Sequence, residues 1–173
     1  MIRTAQDAYA EVIAAVHVAL KRRGFLKRGH RFGLRRGDDW AIIDLQKHSL
    51  ASTRENIRFT INVGVWFRDL EDATRVAPPS IVECHWWDRA GHEPFEKGEH
   101  WWIIDNETVS AVLARRLVGA IVAALPNLER HLDEVAVLTM FMSGDRSAFR
   151  IGRSYESRVQ SVLNQRALSG HAQ

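Results

Sequence analysis

The stretch Ile57-Arg58-Phe59-Thr60-Ile61-Asn62-Val63-Gly64-Val65-Trp66-Phe67 alternates apolar and polar side chains almost without a break. Successive side chains on a strand face opposite sides of a sheet, so this pattern specifies a half-buried central strand. Ile57, Phe59, Ile61, Val63, Val65 and Phe67 share one face; Arg58, Thr60, Asn62, Gly64 and Trp66 share the other. The apolar face needs covering helices, and the chain has amphipathic segments on both sides of it. The expected fold is a single α+β domain over residues 1–173. An antiparallel sheet of about five strands packs one face on the N-terminal and C-terminal helices.

The neighbouring segments fit that plan. Thr4 is placed to cap a helix running to about Arg23, because Ala5, Ala8, Tyr9, Val12, Ile13, Val16 and Leu20 recur at three- and four-residue steps. Gly24 suits a left-handed helix end. Strands are expected over 30–35, 40–48, 81–87 and 100–104, with a surface loop over 88–98. The order suggests an antiparallel meander. The strongest helix is expected from Asn106 as its cap to Leu125, stopped by Pro126, with Val109, Val112, Leu113, Leu117, Ile121, Val122 and Leu125 buried. The apolar run in 128–142 leans towards helix. A last amphipathic helix is expected over 155–167, with the tail fraying from about 169.

Charge is unevenly spread. Of 24 basic residues, eight fall between Lys21 and Arg36 with no acid among them: Lys21, Arg22, Arg23, Lys27, Arg28, Arg31, Arg35 and Arg36. In the rest of the chain acids outnumber bases 21 to 16. A basic corner on a mildly acidic body is either a solvated helix end and hairpin or a patch for phosphate or acidic groups. The single cysteine, Cys84, excludes an internal disulfide and an all-cysteine zinc site. No apolar run looks long enough for a membrane span, and the N-terminus lacks a signal-peptide build. The expected setting is the cytoplasm, away from membranes.

No catalytic motif stands out. His-Glu-x-x-His, Cys-x-x-Cys, a phosphate-binding glycine loop and a nucleophile elbow are all missing from the sequence. Glu83 and His85 would share a strand face, with His92 and His100 nearby, but nothing makes them converge as a metal site. Cys84 alternates with Val82 and Trp86 and reads as a buried thiol rather than a nucleophile. No cofactor is implied. The most informative set is the polar sheet face: Asp44, Gln46 and His48 on one strand, with Arg58, Thr60, Asn62 and Trp66 on its neighbour. The Trp86-Trp87 and Trp101-Trp102 pairs bring aromatic surface close. Such a face is expected to be solvated or to meet a ligand, since a buried one would need every polar group paired. The other reading of the six tryptophans is that they plug the helix–sheet interface.

The order of these features resembles the bacterial DUF4304 family. The resemblance rests on Gly24-Phe25 with the following basic run and Phe32, then Leu45-Gln46-Lys47, then Phe59 to Val65, then a Trp-Trp pair before the long helix. It covers roughly Ala10 to Ser143. It implies an α+β domain with an accessory or interaction role and carries over no catalytic residue. By analogy, some small families of this kind act as immunity proteins against toxins.

The expected function is therefore a non-enzymatic interaction domain whose partner is another protein. Its contact surface would be the polar face with Asp44, Gln46, His48, Arg58, Thr60, Asn62, Trp66 and Trp87. Nucleic-acid binding through residues 21–36 is one alternative. A small enzyme or metal protein using Asp44, His48, Glu83 and His85 is the other.

Overall fold

The computed structural model describes residues 3–70, 76–90, 101–144, 160–162 and 164. It opens with helix α1, Ala5–Lys21. Thr4 caps it reciprocally: the Asp7 backbone N–H donates to the Thr4 hydroxyl, and the Asp7 carboxylate accepts from the Thr4 backbone N–H at 2.8 Å. Gly24, at φ 86°, turns the chain out of the helix, a conformation that disfavours any residue with a Cβ.

Six strands follow among the described residues: β1 (Leu26–Arg28), β2 (Arg31–Arg36), β3 (Asp39–Lys47), β4 (Asn56–Trp66), β5 (Trp86–Ala90) and β6 (Trp102–Asp105). All pairings are antiparallel, in the order β1-β2-β3-β4-β5, with β6 also on β4. Strand β4 is the long central strand expected, and β3 pairs along most of its length, from Trp40 opposite Trp66 to Lys47 opposite Phe59. Its other edge is shared end to end. Ile61 to Val65 pair with β5, and Asn56 to Phe59 pair with β6.

Two longer helices follow the sheet: α2 (Ser110–Arg130) and α3 (Glu134–Met142). The core lies between α1, α2 and the apolar sheet face, where Ile57, Phe59, Ile61, Val63 and Val65 are all buried. Tyr9 joins α1 to the sheet, its hydroxyl donating to the Leu45 carbonyl at 2.8 Å. Arg3 ties the start of α1 to that of α2 by donating to the Thr108 carbonyl at 2.7 Å.

Several expectations need correction. The segment expected as a strand over 81–87 is a 3-10 turn at Ile81–Glu83, and the strand begins only at Trp86. Glu83 accepts from the Ser80 backbone N–H at 2.7 Å, which closes that turn against the local alternation. Residues 88–90, expected in a loop, are therefore strand. Strand β1 was not anticipated; at three residues it is too short to show a period. Helix α2 starts at Ser110, not at Asn106, because Thr108 and Asp105 form a hydrogen-bonded turn first. Val109 and Val112 are 62% and 56% exposed rather than buried, and Val122 and Leu125 are only half-buried.

Pro126 does not stop α2. Its ring forfeits one backbone hydrogen bond, but the helix continues because Leu128 anchors the final turn in the core. By length and composition alone α2 could cross a membrane, with a mean hydropathy of 1.5 over its most apolar window. Here its Leu113, Leu117, Ile121 and Leu128 stripe lies on the core. The expected helix over 155–167 and the frayed tail fall largely outside the described residues; 160–162 and 164 are helical.

Candidate binding face of the sheet

The outer face of the sheet, opposite the helices, is divided in two by its cross-strand rows. One row is Gly33–Ile42–Gly64–Trp87 and the next is Arg35–Trp40–Trp66. Here the chain over 78–84 lies directly on the sheet. Trp40, Ile42, Trp66, Ile81 and Cys84 form a second, smaller apolar core with Trp87 packed at its edge. The glycines make this possible: a Cβ on Gly33 would come within 2.6 Å of Pro78, and one on Gly64 within 2.9 Å of the Trp86 carbonyl.

On the other half the rows turn polar. Arg28, Arg31, Asp44, Asn62 and Arg89 stand opposite one another in a continuous line across β1 to β5. With neighbouring strands about 4.8 Å apart, that line runs roughly 19 Å. The next row pairs Gln46 with Thr60, and beyond it His48 donates its backbone N–H to the Arg58 carbonyl at 2.8 Å. Trp101 stands over this end of the face. Its ring lies 4.8 Å from that of His48, and the Arg89 guanidinium lies 5.4 Å from it on the ring face.

The polar half is only partly solvated. Asn62, Thr60 and Asp44 are 0%, 1% and 3% exposed, whereas Gln46 is exposed and His48 and Arg58 are half-buried. The expectation of an open face is thus corrected at its centre. Burial has not brought full pairing. Asn62 donates through Nδ2 to Gln46 Oε1 at 2.8 Å, but among the described residues its Oδ1 has no hydrogen-bond partner. Thr60 Oγ1, Arg31 Nε and Arg58 Nε are also buried without one. Asp44 Oδ1 likewise accepts no hydrogen bond among the described residues, with His30 Nε2 3.3 Å away as an ion-pair neighbour. Burial pushes the Asp44 carboxyl above its usual range, and the nearby His30 and Arg31 charges pull it partly back.

The expected site residues separate accordingly. Asp44, Gln46, His48, Arg58, Thr60 and Asn62 come together on the polar half. Trp66 does not join them, being wholly buried in the smaller core, and Trp87 sits at the boundary, half-buried. Sequence reasoning missed Arg89 and His30 as neighbours of this set. Arg89 would have been found by placing the strand at 86–90, since Trp87 and Arg89 then share a face.

The basic segment 21–36 does not form one patch. Arg28, Arg31 and Arg35 lie on the outer face, in register with Asp44 or Trp40. Lys21, Arg22 and Arg23 lie at the end of α1, while Lys27 and Arg36 occupy positions facing the helix side of the sheet. Arg35 is also engaged by Asp38 at 2.7 Å.

The residues considered for metal binding stay apart. Glu83 caps the 3-10 turn, and His85 is buried, its Nδ1 accepting from the Phe67 backbone N–H at 2.7 Å. No group of three or more potential ligands converges among the described residues. His92 and His100 lie outside them. Cys84 is buried, as expected of a structural thiol.

Among curated proteins and among solved structures, none matches this chain. A family profile does, that of DUF4304, a domain of unknown function, over residues 16–130. That span lies inside the region carrying the sequence resemblance and holds β1 to β6 together with α2. It covers well over half of the chain, which therefore belongs to the DUF4304 family.

Proposed function

We propose that this protein is a non-enzymatic interaction module that docks an acidic segment of another protein on the polar half of its outer sheet face. The observation that supports this is the row Arg28–Arg31–Asp44–Asn62–Arg89, with buried polar atoms on Asn62, Thr60, Arg31 and Arg58 that find no partner among the described residues. Native interiors leave few polar atoms without partners, and a cluster on one face suits groups completed by a bound surface. Arginines in excess of Asp44 favour an acidic partner, and Trp101 supplies the aromatic contact area typical of interface anchors. An immunity-type inhibitor, which acts by covering its target, would use such a face. The reading requires no cofactor and is framed for a cytoplasmic protein.

Nucleic-acid binding is the second reading, and the same face favours it over the 21–36 segment as a unit. Arginines beside an aromatic ring on an open sheet can hold a phosphate backbone and stack a base. Affinity capture from native lysate, with and without nuclease, separates the two. A stoichiometric protein that survives nuclease and is lost with Arg31→Glu or Arg58→Glu supports the first reading. Loss of every partner on nuclease treatment moves the face to nucleic acid. A partner retained by both charge reversals sinks the assignment to this face.

A further inference from the structure

On the opposite side of the sheet, a cavity of about 300 Å³ opens between the end of α2 and β2 and β3. Its volume is at the lower end of the roughly 300–1,000 Å³ usual for small-molecule sites. The floor is apolar, formed by Phe25, Leu34, Leu125 and Leu128. Phe25 and Leu128 are buried core residues, and the two other leucines are partly exposed into the opening. Walls of this kind give water few partners and suit a hydrocarbon body.

The mouth is charged. Arg23 and Arg36 both border it, together with Glu129. The Arg36 side chain makes no hydrogen bond or ion pair with any described residue, and Asp38 is engaged by Arg35 at 2.7 Å. Arg23 donates one nitrogen to the Ala19 carbonyl at 3.2 Å and has four N–H groups besides. Glu129 forms no ion pair with either among the described residues, so two guanidinium heads face one carboxylate at the rim. An apolar floor beneath a net positive mouth selects for a molecule with an anionic head and a compact apolar body.

We propose that this cavity binds a small amphipathic carboxylate, its hydrocarbon body against Leu125 and Leu128 and its head at Arg23 and Arg36. The site is distinct from the outer sheet face and does not depend on the docking role given to it. It also accounts for the division of the basic segment, since two of its arginines belong to this mouth and two others to the outer row.

The test is calorimetric titration of the full chain with octanoate, below its micelle threshold, beside octylamine and octanamide as matched probes. Octanoate should saturate a single site and shift the leucine methyl resonances of Leu125 and Leu128, while octylamine should not bind. Arg36→Gln should weaken octanoate about tenfold or more, and Arg31→Glu on the outer face should leave it unchanged. Leu125→Trp, which fills the cavity, should abolish binding with an unaltered circular dichroism spectrum. Leu132→Trp serves the same purpose if that variant does not fold. Equal binding of octylamine, octanoate affinity indifferent to both Arg36→Gln and the tryptophan variant, or no saturation at all would each overturn the proposal.

Discussion

Asn62 gives its amide N–H to Gln46 Oε1 at 2.8 Å while its own carbonyl oxygen, fully buried, accepts nothing from the described residues. The side chain is half-satisfied, which is the costly state for a buried amide. Replacement by leucine keeps the size, loses one hydrogen bond of about 1 kcal/mol and removes the unpaired acceptor. Gln46 is exposed and regains water. Asn62→Leu should therefore change unfolding free energy by less than about 1 kcal/mol in urea titration while weakening partner capture. A loss above about 2 kcal/mol would show instead that the amide is part of the structural core.

Asp44 makes the same face sensitive to pH. Its carboxyl is raised by burial, so the folded protein holds this proton more tightly than the unfolded chain does. Between the ordinary carboxylate range and the raised value, the folded state binds more protons, and stability falls as pH rises through that window. The His30 and Arg31 charges soften the effect without reversing its direction. Asp44→Asn removes the titration. The stability of the variant relative to the parent should rise as pH goes from about 4 to 7, read by denaturant melts at each pH. A relative stability that falls over the same range would mean that ion pairing, not desolvation, dominates at Asp44.

The central strand was legible because its period is uninterrupted for eleven residues, and the facing of Trp40, Ile42, Asp44 and Gln46 on β3 followed from the same rule. Legibility failed where a local hydrogen bond outweighs the pattern. Ser80 and Glu83 close a turn inside an alternating run, and Thr108 with Asp105 delays α2 by one turn. It failed again at Pro126, where tertiary burial of Leu128 carries the helix past a residue that would end an isolated one. The candidate site was half readable. Register along β3 and β4 placed six of its residues, but Arg89 depends on where β5 begins, and the closure over Trp66 depends on a distant segment.

Tyr9 is the point where α1 grips the sheet. Burial pushes its hydroxyl well above the usual phenol range, so it remains a donor at any working pH, and it gives its proton to the Leu45 carbonyl. The ring packs edge-on to Phe59 at 5.4 Å, and the Lys47 ammonium sits 4.2 Å from its centre. Tyr9→Phe should cost about 1 kcal/mol for the one hydrogen bond, whereas Tyr9→Ala should cost roughly 3–5 kcal/mol through the cavity it leaves. Thermal and urea melts of the pair measure the split. Equal losses for the two variants would place the whole contribution in the hydrogen bond.

Gly64 decides how much of the outer face is closed. A Cβ there would meet Ile81 Cδ1 and the Trp86 carbonyl oxygen at 2.9 Å and Cys84 Cβ at 3.0 Å. The isoleucine methyl can swing aside, but the carbonyl belongs to the strand paired with β4 and the Cys84 carbon lies on the covering segment. Gly64→Ala should therefore destabilise the fold by about 1–3 kcal/mol, as overpacking does, and lift 78–84 from the sheet. The Cys84 thiol, only 8% exposed in the parent, should then react faster with a thiol reagent under native conditions. The polar row two residues away along β4 should keep its affinity for partner, since Asn62 and Thr60 are not part of the lifted cover. Unchanged thiol reactivity together with unchanged stability would mean that the segment accommodates the methyl without moving and that its packing is looser than these contacts imply.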